Sequence, residues 1–342
     1  MKNILVVDDN LVTLQQINAM LEEDYEVSLA KSGSQALLIC YQIAPDLILL
    51  DIDMPDMDGF ETLTMLKKNM ALRHIPVIFL TAAHNTESEV KALKNGAVDF
   101  ITKPVDKEIL QHRIDVHLNL SSYNRQLENQ VRVLEDSIIA SFSDMIEYRD
   151  ECTGGHVTRT ASYVEILGAE LLKRGHYSEE LNEFTVDMMA RAAPLHDVGK
   201  ITVSDVILLK PSLLNDEEFT IMKTHTTVGA DLLRNIFSKV PTQSYHEFAI
   251  LIAESHHERW DGKGYPKGLK TTQIPLCARI MSIADVFDAL VDIRVYKRPM
   301  DHKDACRVIM SEREHMFDPL VVDAFSGVTD KFQEVSSHHF FP

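Results

Sequence analysis

Short apolar runs alternate with stretches of helical periodicity through the N-terminal part of the chain. The runs are residues 4–7, 27–30, 47–50, 77–80 and 98–101. Runs of this length without polar alternation predict strands buried on both faces, as parallel strands are. Five strand–helix alternations predict an α/β, doubly wound, five-stranded parallel sheet over residues 1–120, with helices on both faces. In such a sheet the working site lies beyond the carboxyl ends of the strands. Asp8, Asp9, Asp51, Thr81 and Lys103, the last followed by Pro104, stand at those ends.

The pattern then changes. From Asp106 the chain carries no Gly or Pro until Gly154, which predicts one long helix joining two domains, a connector over residues 106–150 that overlaps both neighbours. Leu120, Leu127 and Leu134 fall seven apart, with Asn124, Val131 and Ile138 four residues after each. That is a coiled-coil seam, and a buried Asn at position 124 favours a parallel dimer in register. Glu128, Arg132 and Glu135 flank the seam and are placed to pair across it. A homodimer through this helix is therefore expected.

From about residue 140 to 342 no strand alternation persists and an all-α domain is predicted. Asn215-Asp216-Glu217-Glu218 reads as a capped helix start, with Leu214 and Phe219 as a hydrophobic staple. Here His156, His196-Asp197, His225, His256-His257 and Asp285 recur at intervals close to the length of a helical hairpin. Ligands so spaced project from successive helices into one interior. Five imidazoles and two carboxylates buried without a cation would carry a heavy desolvation cost. The set is too large for one zinc but suits two divalent cations sharing a carboxylate. Lys200 stands four residues after His196, which places it on the same helix face.

Composition narrows the class. Hydrophobic residues make up 45% and charged residues 25%, as in an ordinary globular protein. A net charge of −18 argues against a DNA-binding or anionic-membrane partner, although metal ions reverse the potential locally for a small anionic substrate. Cys40, Cys152, Cys277 and Cys306 show no paired spacing, and no apolar segment is long enough for a membrane span or signal peptide. A cytoplasmic chain is expected.

Two resemblances sharpen these readings. Asp8-Asp9, Asp51-Ile52-Asp53-Met54-Pro55, Thr81-Ala82 and Phe100-Ile101-Thr102-Lys103-Pro104 resemble, in order, the receiver domain of two-component response regulators. The resemblance implies that Asp51 accepts phosphate from a cognate histidine kinase and that Asp8, Asp9 and Asp51 hold Mg²⁺. It also implies that Thr81 and Lys103 contact the phosphoryl group and that Phe100 is a switch residue.

His196-Asp197-Val198-Gly199-Lys200 and His256-His257-Glu258-Arg259-Trp260-Asp261-Gly262-Lys263-Gly264-Tyr265-Pro266 resemble the two signatures of the HD-GYP family. The runs around His156 and Asp285 fit as well. This resemblance implies a metal-dependent phosphodiesterase opening cyclic di-GMP to linear pGpG, with GMP as the alternative end product. One cation would be held by His156, His196, Asp197 and Asp285, and the other by Asp197, His225, His256 and His257. Iron or manganese is expected. Lys200, Arg294 and Lys297 would contact substrate phosphate, with Lys200 and Asp197 the catalytic pair. Relatives with a third metal carry an acidic ligand four residues before the first histidine; Cys152 stands there and Glu151 is one residue off, which implies a binuclear site. Phosphorylation would regulate hydrolysis through the connector. The alternatives are a hydrolase preferring another cyclic dinucleotide, and a non-catalytic module that binds cyclic di-GMP or docks a partner through Gly264-Tyr265-Pro266.

Overall fold

The structure, a computed structural model, describes residues 1–69, 71–82, 93–149, 155–240, 244–292 and 299–337. It separates into two compact units, residues 1–132 and 133–342.

In the first unit, β1 (Asn3–Val7), β2 (Glu26–Ala30), β3 (Leu47–Asp51), β4 (Val77–Ala82) and β5 (Asp99–Lys103) pair in parallel in the order β2-β1-β3-β4-β5. All five expected strands form. β1 and β3 are buried almost throughout, because helices cover both faces. β2 and β5 are only partly buried, because the strand order puts them at the edges. Helices α1 (Leu11–Leu21), α2 (Gly33–Ile43) and α3 (Gly59–Lys68) start on side-chain caps from Asn10, Ser32 and Asp58. Two apolar layers result. One holds Leu5, Val7, Ile48, Leu50 and Phe79; the other holds Ile4, Val6, Leu49, Ile78 and Leu80.

Helix α4 (Lys107–Tyr148) runs without a break for 42 residues. Its first turns bury Leu110, Ile114 and Leu118 beneath the sheet of the first unit. Further along, the heptad seam is uncovered, with Leu127 51% and Leu134 60% exposed.

The second unit is helical. It comprises α5 (His156–Lys173), α6 (Glu183–Ala192), α7 (Asp205–Leu208), α8 (Asp216–Phe237), α9 (Ser244–Ser255), α10 (Leu276–Val291), α11 (His302–Ser311), α12 (Pro319–Ser326) and α13 (Thr329–Ser337). The expected capping box at Asn215 and Glu218 starts α8. Tyr163 stacks on Phe332 at 4.3 Å, and Phe287 and Phe325 meet Phe332 edge-on at 5.0 Å. These rings lock α5, α10, α12 and α13 together, so that α5 and α10 present His156 and Asp285 from fixed backbones.

Candidate functional site

The first unit gathers its polar residues where the strand order reverses, beyond the ends of β1 and β3. Lys103 at the end of β5 donates to Asp8 at 2.7 Å and to Asp51 at 2.8 Å. Asp8, Asp9 and Asp51 each offer an oxygen to one small cluster suited to a hard cation. Burial raises the Asp51 carboxyl above its ordinary range despite Lys103, and the two carboxylates overcome burial to raise the Lys103 ammonium. Thr81 is buried at the end of β4, and Phe100 on β5 is half-buried against the core.

The larger cluster lies in the second unit, where its centre departs from the regular helix that the sequence implied. After α6 the chain makes two 3₁₀ turns, Ala193–Leu195 and Val198–Thr202, with His196 and Asp197 between them. Pro194 lacks the N–H that would continue α6. Gly199 is required by contact: a Cβ there would lie 1.9 Å from the carbonyl oxygen of His225 and 2.7 Å from the nitrogen of Gly229. The second turn thereby lies directly on α8, bringing His225 beside Asp197. Lys200 is consequently not on one helical face with His196; its ammonium sits 2.8 Å from Asp197 Oδ2.

Four imidazoles are held the same way round. His196 Nδ1 donates to the Ala193 carbonyl at 3.0 Å, His225 Nδ1 to Met222 at 2.7 Å and His256 Nδ1 to Ile252 at 2.9 Å. His156 Nδ1 meets the Asp288 carboxylate at 2.7 Å, and Arg159 fixes Asp288 through two further contacts of 2.7 Å. With Nδ1 occupied, each ring turns Nε2 inward, the orientation that second-shell partners impose on metal-binding histidines.

Three of those nitrogens surround Asp197. Its Oδ1 lies 3.3 Å from His225 Nε2 and 3.5 Å from His256 Nε2, while its Oδ2 lies 3.3 Å from His196 Nε2. Asp285 Oδ1 is 3.7 Å from His156 Nε2 and 4.0 Å from His196 Nε2. Asp197, His225, His256 and His257 form one group with metal-ligand spacing. Asp197 Oδ1, His225 Nε2 and His256 Nε2 are buried without a hydrogen-bond partner, which in a native core calls for an ion or another ligand. The donors fit a pair of divalent cations.

Charge within the cluster is polarised. Burial opposes ionisation of Asp197, but Lys200 and His196 outweigh it and hold the carboxyl well below the usual range. Burial likewise opposes a proton on His196, yet Asp197 and Asp285 raise that ring to about 9. Burial, aided by His256 and His225, holds His257 well below its ordinary value, and burial lowers His256 also.

The glycine loop after His257 belongs to this wall. Gly262 adopts φ +79°, whereas Gly264 has no positive φ. A Cβ on Gly264 would lie 2.3 Å from the backbone nitrogen of Arg259, so close approach explains that glycine. The buried Glu258 carboxylate accepts from the backbone nitrogens of Lys267 at 2.7 Å and Leu269 at 2.9 Å, closing the loop. The Tyr265 ring then lies 4.8 Å from His257. The loop is half-buried against the histidines rather than freely exposed.

All seven expected donors thus come together, with Lys200 beside them. Arg294, Lys297, Glu151 and Cys152 lie outside the described residues. Asp288, three residues after Asp285 on the same helix, carries a role that its position alone did not assign. Replacing it with Asn is expected to weaken cation affinity by about 10–100-fold, since loss of such a partner frees the ring and its tautomer. Competition against a metal-sensitive chelator measures this directly. Glu147 was also not singled out in the sequence, and it lies 3.4 Å from His156 Nε2.

Comparison with known proteins agrees with this architecture. Residues 4–115 match the response regulator receiver domain, and residues 140–321 match the HD domain. The chain is 41% identical to a Vibrio cholerae protein named "Probable cyclic di-GMP phosphodiesterase", over 97% of this chain and 79% of that one. It is 35% identical to a cyclic di-GMP phosphodiesterase response regulator of Xanthomonas campestris, over 94% and 86% respectively. A 3'3'-cGAMP-specific phosphodiesterase of Vibrio cholerae is 33% identical over 67% of this chain and 41% of its own length.

Proposed function

Because the chain belongs to the response regulators that join a receiver domain to an HD domain, we propose that it hydrolyses cyclic di-GMP to linear pGpG at a binuclear, HD-GYP-type metal site. Residues 1–120 serve as the phosphoacceptor domain, 106–150 as the connector and 140–342 as the hydrolase. The observation that carries this reading is the common orientation of His156, His196, His225 and His256. Each gives up Nδ1 to an oxygen and turns Nε2 into the cluster, those of His196, His225 and His256 toward Asp197 and that of His156 toward Asp285.

In this reading His156, His196, Asp197 and Asp285 hold one cation, and Asp197, His225, His256 and His257 hold the other, with Asp197 shared. When bound, the cations, iron or manganese, lower the pKa of water and offset the phosphodiester's charge. Lys200 exchanges its contact with Asp197 for a phosphate oxygen, or gives a proton to the departing ribose oxygen as the P–O bond breaks. Tyr265 and the loop behind it form one wall of the site. Arg294 and Lys297 supply further positive charge to the substrate phosphates. The setting is cytoplasmic; Cys40, Cys277 and Cys306 are free thiols, and among the described residues no helix is long and apolar enough to cross a membrane.

Anaerobic purification with metal analysis, followed by side-by-side turnover of cyclic di-GMP and 3'3'-cGAMP, tests the assignment. Two metals per chain and release of pGpG are expected. Faster turnover of 3'3'-cGAMP would move the specificity to that substrate, in line with the Vibrio cholerae relative. No metal and no turnover after reconstitution with iron and with manganese would sink the proposal.

Metal uptake should also depend on pH in a defined direction. Below about 9 the metal-free His196 carries a proton that a cation must displace. Affinity at the site it serves is expected to fall by roughly tenfold per unit as pH drops from 9 to 7. His257 is already neutral over that range, so it adds no such dependence on its side. Chelator-buffered titrations at pH 7, 8 and 9 read the two sites separately.

A further inference from the structure

The last turn of α4 sends a carboxylate into the metal cluster. Glu147 is 5% exposed on a helix whose middle stretch is largely open to solvent. Its Oε1 lies 3.4 Å from His156 Nε2, and that nitrogen lies 3.4 Å from His196 Nε2. Glu147, His156 and His196 thus present three ligand atoms with metal-binding spacing, distinct from the group around His225. Both rings have committed Nδ1 elsewhere, to Asp288 and to the Ala193 carbonyl. The other carboxylate oxygen, Oε2, is buried and has no hydrogen-bond partner.

The backbone beneath Glu147 is fixed. Ile146 enters the core of the second unit. Arg149 donates to the carbonyls of Ile201 at 3.1 Å and Val203 at 3.2 Å, tying the helix end to the turn that carries Lys200. A partly unsatisfied carboxylate facing two inward imidazole nitrogens is costly without a cation among them. Glu147 stands nine residues before His156 and on a different helix, so it is not the acidic position that Cys152 fills.

We propose that Glu147 is a ligand of the cation held by His156, His196, Asp197 and Asp285, which makes the last turn of the connector helix part of the metal site. The proposal rests on the binuclear reading above. One consequence is that displacement of α4 along its axis would alter that cation's coordination directly.

The test uses the full chain, loaded with manganese for affinity and with cobalt for its d–d absorption. Asp197→Ala is the control for the binuclear reading. Glu147→Ala and Glu147→Gln are expected to keep one cation at wild-type affinity and to weaken the other by at least about 10-fold, with an altered cobalt spectrum. Glu147→Gln preserves size, and its metal-free thermal unfolding checks that the fold is intact. Two cations at wild-type affinity with an unchanged spectrum in both variants would overturn the proposal alone. Wild-type chain that holds no divalent cation, or Asp197→Ala that keeps both, would overturn the binuclear reading and this inference with it.

Discussion

Asp197→Ala is expected to lose tight binding of both cations and to lower cyclic di-GMP turnover by about 10³-fold or more. The reason is the division of labour between its two oxygens. Oδ1 faces His225 and His256, while Oδ2 faces His196 and Lys200. In the proposed assignment every other donor serves one cation, so no other single change would remove a ligand from both. Transition-state stabilisation by such cations is worth several kcal/mol, and each 1.4 kcal/mol or so is a factor of ten in rate. The variant also strips Lys200 of its carboxylate and leaves several buried rings without a counter-charge. Metal analysis and initial rates on the same preparation check the expectation. A variant that holds two cations and turns over within tenfold of wild type would remove Asp197 from the bridging position.

What the sequence made legible follows from how each feature is encoded. The strands were readable because short apolar runs recur between helical stretches, unbroken at residues 4–7, 47–50 and 77–80 where parallel strands are buried on both faces. Their edge exposure was not, because it depends on strand order. The His–Asp ladder was readable because its members recur at close to hairpin spacing and carry unusual chemistry for a core, although only His156, His225 and Asp285 sit on helices and the two pairs lie just past helix ends. The turn at Pro194 and Gly199 was harder to see. A proline and a glycine flanking His196-Asp197 are compatible with a kinked helix, and only the contact between Gly199 and the His225 carbonyl shows why the helix is replaced by two 3₁₀ turns. Asp288 carried a faint signal as the residue three after Asp285. Glu147 carried none, since one glutamate among many on a long polar helix gains meaning only from the atoms it meets. The packing of Tyr265 on His257 was not legible either.

Asp51→Asn is expected to abolish phosphoryl transfer to the chain and to make hydrolysis indifferent to a phosphodonor. Asp51 offers Oδ1 to Lys103 at 2.8 Å, and Lys103 also binds Asp8 at 2.7 Å. An amide keeps the size and one acceptor oxygen, so the fold of the first unit and the Lys103–Asp8 pair should persist. It supplies no carboxylate oxygen to form the acyl phosphate, and it removes one negative charge from the Asp8, Asp9 and Asp51 group that would hold Mg²⁺. The readout is twofold. Acid-labile phosphate after incubation with a small-molecule phosphodonor and Mg²⁺ should approach one per wild-type chain and be absent from the variant. Hydrolysis by wild type should change by about fivefold or more on phosphorylation, the lower range of allosteric coupling, and not change in the variant. Sedimentation run in parallel ties the response to the uncovered Leu127–Leu134 seam, because the phosphorylated and unphosphorylated chains should then differ in dimer affinity or in rate within the dimer. Equal rates with and without phosphoryl group in wild type would disconnect the receiver from the metal site and leave α4 a passive linker.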